Sequence, residues 1–364
     1  MSDTHLTDVK THDTSNHLLF TPLKVGNVLL QHRIVMAPMT RYRADDDHIP
    51  TDMITLYYAQ RASIWNKEQI AAWKKIVDAV HARGSFIFLQ LWALGRYAEP
   101  DVLKREAENA GLPTDAFPYV SASNIPAKTW DGKTLDVCPR PLSLEEIDEY
   151  VRDYAQAAQN AIEAGFDGVE INNANGYLLD QFLQDVSNVR QDQYGGSIEK
   201  RSLFPLNVLD AIVSRIGASR TSIRLSPWNE YQGMRMADPI PTFSYITSEI
   251  RKRYPDLAYL HFVEGKRPND SNDFARAIWK EGREVNDNNK REQAVFLSAS
   301  KHDRESAFTY AEQGDVVVFG KWFLSNPDLP RRIKEDIPLN PYDYNTFYTK
   351  KNPSGYADYT FASS

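Results

Sequence analysis

The sequence predicts an α/β fold, a TIM (β/α)8-type barrel lacking one βα step, its second strand. Three observations predict it. Short β-rich runs recur between helical patterns, the mark of a parallel sheet. The runs are apolar with little alternation, as strands covered on both faces are. No Pro/Gly-rich linker divides the 364 residues, so one barrel domain is expected over 18–364, behind a polar tail at 1–17 and with a capping segment around 97–140.

Strands are expected at Ile34–Ala37, Phe86–Leu91, Gly168–Ile171, Ser222–Leu225, Ala258–Val263, Ala294–Leu297 and Val316–Phe319. The clearest intervening helix opens at Ser143-Leu144-Glu145-Glu146, a capping box in which Ser143 bonds the third helical amide and Glu146 reaches back. Ile147, Tyr150, Val151, Tyr154, Ala158, Ala161 and Ile162 form its apolar stripe, and Gly165 stops it. Between the first strand and Phe86 lie two helical patterns in succession, about Asp52–Ser63 and one starting at the N-cap Asn66. Only Ile64 and Trp65 separate them, which leaves no room for the strand that βα alternation requires. Tilt, shear and strand number are linked in a closed barrel, so seven strands read as a barrel minus its second stave.

Composition excludes several classes. The 42 Lys+Arg against 49 Asp+Glu give a net charge of −7 without a basic block, so no nucleic-acid partner is expected. No apolar run approaches ~18 residues, so no membrane span is expected. The polar start lacks a signal peptide's basic and apolar regions, which points to the cytoplasm. Cys138 is alone, so no intrachain disulfide forms. The histidines show no metal-ligand spacing, and no Gly-x-Gly-x-x-Gly or P-loop motif occurs. Glycine is scarce, 17 of 364, which weighs on any phosphate grip made by glycine turns.

In a parallel barrel the functional side chains gather where strands end at the C-terminal face. There the chain offers Thr40, Gln90, the run Asn172-Asn173-Ala174-Asn175-Gly176-Tyr177, Arg224, His261 and Glu264. Asn172 and Asn175 can aim two amide donors at one oxygen, with the Tyr177 phenol close by, which would polarise a carbonyl and supply a proton. Equally, the asparagines can cap the following helix while Tyr177 packs. Arg224 sits between Ile223 and Leu225; a guanidinium in an apolar strand needs an internal carboxylate or the electron-rich edge of a cofactor. His261 reads either as a core histidine or as part of the site.

At these strand ends the chain resembles the old yellow enzyme family of FMN-dependent ene-reductases, in particular its fungal members. The resemblance is carried by Arg33–Arg41, Leu89–Arg96, Ala174–Leu179, Tyr194–Glu199 and Ser325–Leu329, and runs from Leu19 to about Tyr359. It implies FMN as cofactor and NADPH as reductant. The substrate it implies is a small-molecule enone or enal, in fungal secondary metabolism including alkaloid pathways, and the assembly a monomer or homodimer. By the same resemblance Pro38, Thr40 and Gln90 line the flavin ring, Arg224 stabilises its reduced anion, and Ser300, Gly320 and Lys321 lie at the phosphate. Asn172, also beside the flavin, would hold the substrate carbonyl with Asn175. Tyr177 would protonate Cα, and Tyr348 would line the substrate side.

The chain departs from the family in three places. Roughly 25 residues, one βα step, are absent between Ser63 and Ile64. Ala299-Ser300-Lys301 stands where the family has glycine, and Gly320-Lys321 where it has Gly-Arg. A Cβ at Ser300 can obstruct the close approach glycine allows, and Lys replaces a bidentate guanidinium with a point charge. These departures support a second reading: a relative that no longer binds FMN well, acting as a pseudo-enzyme, an isomerase or a small-molecule binder.

Overall fold

The computed structural model describes residues 14, 16–44, 50, 54, 67–129, 131–282 and 294–363. A short antiparallel hairpin opens the fold, β1 (Leu23–Val25) against β2 (Val28–Leu30), with Leu23 opposite Leu30. Then comes β3 (Ile34–Met36) and, after the helix Lys67–His81, β4 (Phe88–Leu91). Two-residue strands β5 (Val120–Ser121) and β6 (Arg140–Pro141) pair within the intervening segment. The main sheet resumes with β7 (Gly168–Asn173), β8 (Thr221–Leu225), β9 (Tyr259–Val263), β10 (Phe296–Ala299) and β11 (Val316–Phe319). Helices precede or follow each of these.

The large sheet has seven strands in the order β3-β11-β10-β9-β8-β7-β4, every neighbouring pair parallel. Each of the expected strands is present, Val316–Phe319 with the expected bounds and the others with bounds displaced by at most two residues. The run at Phe86 enters the ladder only at Phe88, because the Asp167 carboxylate accepts the Ile87 N–H at 2.7 Å. The run at Ala294 starts at Phe296; the Val295 carbonyl takes the Trp279 indole N–H at 3.0 Å as well as the Leu260 amide at 3.1 Å. β7 begins at a glycine for want of space: a Cβ on Gly168 would lie 2.4 Å from the Phe88 ring.

Among the described residues β3 pairs only with β11 and β4 only with β7, so the sheet's two edges are the strands that a second stave would join. The expected helix over Asp52–Ser63, the junction Ile64–Trp65 and the N-cap Asn66 lie outside the described residues, except that Ile54 is helical and buried.

Helices cover the outer face. The helix Leu144–Glu163 has the expected capping box, with the Glu146 amide donating to Ser143 Oγ at 3.2 Å and the Ser143 amide to Glu146 Oε2 at 2.7 Å. Its buried stripe is Ile147, Tyr154, Ala155, Ala158 and Ala161, and Gly165 ends it at a φ of 94°. Ile147, Tyr154, Ala158 and Ala161 of this stripe and Trp73, Val77 and Phe204 from neighbouring helices belong to one apolar cluster with Leu89, Val169, Ile171 and Ile223. Burying each such large side chain contributes about 1.5–3 kcal/mol, so this helix-on-sheet layer is the main source of stability. A buried ion network ties β9 to β11: Arg276 pairs with Glu264 and, at 2.6 Å, with Asp315, while Ser298 Oγ donates to Glu264 at 2.8 Å.

The segment Phe347–Tyr356 is drawn back onto the residues after β3. Arg41 donates to the carbonyls of Phe347 at 3.0 Å and Gly355 at 2.7 Å. Arg43 donates to those of Asn352 at 2.7 Å and Thr346 at 2.9 Å. Both guanidinium groups are buried and lie over the Tyr356 ring, 5.1 and 4.9 Å from its centroid. No helix among the described residues is long and apolar enough to cross a membrane.

Replacing Ser143 with Ala removes the side-chain acceptor of the capping box and should lower stability by about 1 kcal/mol. Urea unfolding of the purified variant measures this; an unchanged midpoint would show that the helix does not depend on its cap.

Candidate active site

A cavity of about 690 Å³ opens at the C-terminal ends of the strands and reaches down into the lumen. The register of the parallel strands decides which side chains meet there. Gln90 on β4 stands beside Glu170 on β7; Asn172 stands beside Arg224 on β8, and Arg224 beside His261 on β9. Residues two apart on a strand share a face, so Glu170 and Asn172 both point inward. All five line the cavity.

The lumen is polar and closely bonded. Glu170 Oε1 accepts from Gln90 Nε2 at 2.7 Å, and Gln90 Oε1 accepts from Asn172 Nδ2 at 3.0 Å. Glu170 Oε2 lies 2.7 Å from His261 Nδ1. Burial alone would raise the Glu170 carboxyl, but His261, Arg224 and the Gln90 hydrogen bond outweigh it and hold the group below the usual carboxylate range. Burial pushes His261 down, so the ring is neutral, donates Nδ1–H to Glu170 and keeps a lone pair on Nε2. That Nε2 atom and Arg224 Nε are buried without a hydrogen-bond partner.

Beyond β7 the chain makes a tight turn, Asn175 at a φ of 57° and Gly176 at 79°. Asp180 accepts the Gly176 amide at 2.9 Å, the Asn175 amide donates to Ser226 Oγ at 2.7 Å, and Gln181 Nε2 donates to Gly176 O at 2.6 Å and Leu94 O at 3.0 Å. Burial pushes the Asp180 carboxyl up to about 7. The turn presents Asn175 and Tyr177 to the cavity. Neither asparagine caps the following helix Leu178–Leu183, whose N-cap position is Tyr177 with no side-chain bond. The Tyr177 ring meets Trp92 edge-on at 4.7 Å, and burial pushes its phenol well above the ordinary range, so it stays protonated. Tyr42, Trp92, Tyr231 and Tyr348 stand 55, 40, 39 and 62 % exposed near it, an aromatic rim open to solvent.

The structure thus brings Pro38, Thr40, Gln90, Asn172, Asn175, Tyr177 and Arg224 to one cavity. Ser300, Gly320, Lys321 and Tyr348 are not among the residues that line it. Ser300 has a φ of 91° and Lys301 one of 61°, left-handed conformations that favour glycine. Lys301 Nζ donates to Lys266 O at 2.6 Å, and Lys321 Nζ to Tyr344 Oη at 3.3 Å while lying 4.8 Å from the centre of the Tyr342 ring. Sequence reading misses Glu170; its signal is a carboxylate between Val169 and Ile171 in an otherwise apolar strand, the same anomaly that marks Arg224. Among the described residues no group of His, Cys, Asp and Glu is arranged to hold a metal ion.

The profile of the NADH:flavin oxidoreductase / NADH oxidase family matches residues 18–64 and 60–340. The chain belongs to this family. The flavin oxidoreductase match falls in two stretches that meet at residues 60–64, where the strand count places the missing step. A chanoclavine-I aldehyde reductase of Penicillium roqueforti is 45% identical, over 94% of this chain and 96% of its own length. A probable inactive dehydrogenase of Claviceps fusiformis is 40% identical over 95% of each chain. The crystal structure of Old Yellow Enzyme from a Pichia species superposes with a TM-score of 0.81 at 33% identity, covering 95% of this chain and 94% of that one. Flavin oxidoreductases of this family take FMN as cofactor and a nicotinamide as reductant.

Ser300 in its left-handed conformation carries strain of roughly 1 kcal/mol that glycine would not. Ser300→Gly should therefore raise the thermal midpoint; a lower midpoint would mean that the hydroxyl's contacts outweigh the strain.

Proposed function

We propose that this flavin oxidoreductase reduces the C=C bond of an α,β-unsaturated aldehyde or ketone, with FMN as cofactor and NADPH as reductant, in fungal secondary metabolism of the alkaloid kind. The observation that carries the reading is the convergence of two amides, a protonated phenol and a guanidinium with a buried Nε on one cavity at the strand ends.

The cavity floor suits the flavin ring. Arg224 has a buried Nε–H without a partner, a donor waiting for an electron-rich edge. Gln90, Thr40 and Pro38 would lie along the same ring, and Asn172 beside it. Once bound and reduced, FMN supplies the hydride that the reaction consumes. Asn172 and Asn175 donate N–H groups to the substrate carbonyl and draw electron density from Cβ. Tyr177, kept protonated by burial, gives its proton to Cα. The rim of Tyr42, Trp92, Tyr231 and Tyr348 favours a flat, apolar substrate skeleton, which would cover the exposed rings. Tyr348 thereby acts on the substrate side.

Ser300, Gly320 and Lys321 would meet the FMN phosphate. The left-handed Ser300 and Lys301, and the two lysines committed to Lys266 O and to Tyr344, favour a second reading in which FMN is held weakly and the chain acts as a redox-neutral binder or isomerase. The name of the Claviceps relative supports the same alternative.

The visible spectrum decides between the two. The first reading expects a bound-flavin spectrum, as purified or after adding FMN, that NADPH bleaches under nitrogen; a colourless protein that ignores FMN would leave the second. Tyr177→Phe should slow enone reduction on the order of 10²-fold or more while NADPH still bleaches the flavin. Unchanged turnover would take the proton-donor role away from Tyr177.

A further inference from the structure

Among the described residues lining the cavity Glu170 is the one carboxylate, and it stands at the end of a chain of amides. A carboxylate accepts hydrogen bonds and cannot donate them, whereas a primary amide turned by 180° exchanges donor and acceptor at almost no cost in shape. The direction of an amide chain is therefore set by the groups at its ends that can only accept or only donate. Here Glu170 Oε1 takes the Gln90 NH₂ at 2.7 Å, which turns the Gln90 carbonyl toward Asn172. That carbonyl takes one N–H of Asn172 at 3.0 Å. The Asn172 carbonyl is held from the other side by the Ala174 amide at 3.2 Å. One N–H of Asn172 is then left over for a ligand.

We propose that Glu170 is a positioning residue: acting through Gln90 at one end of the chain, with the Ala174 N–H holding the other, it fixes the polarity of the Asn172 amide, so that the cavity offers a donor to a carbonyl oxygen. With the opposite polarity Asn172 would set its own carbonyl against the substrate's. Three features of the surroundings keep the relay one-way. His261, donating from Nδ1 at 2.7 Å, occupies the second carboxylate oxygen, so Glu170 cannot rotate away. Arg224 adds a positive charge beside it, and together with His261 and Gln90 keeps the carboxyl ionised despite its burial. The register Gln90–Glu170 and Asn172–Arg224 holds the donors and acceptors at ladder spacing.

The inference rests on Asn172 as a carbonyl donor, and a double-mutant cycle separates the two claims. Cyclohex-2-enone is titrated into the protein, as purified, by ligand-observed NMR, with Glu170→Gln, Asn172→Ala and the double variant alongside. A glutamine at position 170 can face Gln90 with either atom, so Glu170→Gln should weaken enone binding roughly three- to tenfold, as should Asn172→Ala. The double variant should bind no worse than Asn172→Ala alone, because Glu170 acts only through that amide. Additive losses, or unchanged binding in Glu170→Gln, would overturn the positioning role while leaving Asn172 as donor. If Asn172→Ala binds the enone normally, the reading of Asn172 itself fails and the relay falls with it. Should Glu170→Gln not fold, Gln90→Met cuts the relay at its middle, and the same non-additivity with Asn172→Ala is required.

Discussion

Everything in the lumen depends on one ion held out of water, the Glu170 carboxylate. An uncompensated charge at that depth would cost several kcal/mol. It is compensated by an imidazole N–H, an amide N–H and the nearby Arg224 charge, each supplied by a different strand. The same residues that make the carboxylate tolerable are those that face the cavity. Stability and site chemistry are thus a single arrangement, set by the register from β4 through β7 and β8 to β9.

How much of this was legible depended on whether the signal was local. The seven barrel strands are apolar runs bounded by turns, and their positions can be read directly, to within a residue or two. The capping box at Ser143 and the stop at Gly165 are local chemistry and appear where expected. The hairpin β1–β2 carries a readable sign as well, apolar residues on either side of Gly26-Asn27, which a count made for a parallel barrel passes over. Glu170 is harder: its neighbours Val169 and Ile171 make the run look like ordinary core, and its partners lie 80 and 91 residues away. Only strand order and register bring those partners together. Asn172 and Asn175 could be caps or donors from spacing alone; the strand runs on through Asn173, which removes Asn172 from any cap.

The sheet's two edges give the missing stave a physical location. A closed barrel fills its lumen with layers of side chains from alternate strands. Here the cavity that begins among Asn172 and Arg224 continues past Tyr259, Leu297 and Val318 to Phe86 and Val28 near the opposite end. Near that opposite end Gln31, His32 and Ser85 join the apolar lining, while Gln90, Asn172, Asn175, Tyr177 and Arg224 gather toward the strand ends. The amides, the phenol and the guanidinium that the proposed reaction uses are thus gathered at the end where the strands finish.

The two arginines after β3 have a consequence for the order of assembly. Arg41 bonds Phe347, a residue 306 positions further along the chain. A closure of that span ranks among the costlier ones in entropy, though the cost grows only slowly with length. During synthesis the first strand and its mouth emerge early, with two guanidinium groups whose acceptors do not yet exist. Tyr356, which those groups lie over, is itself part of the cavity wall. The pocket is therefore among the last parts of the molecule to become complete, and a ribosome stalled before Phe347 carries most of a barrel but no finished site.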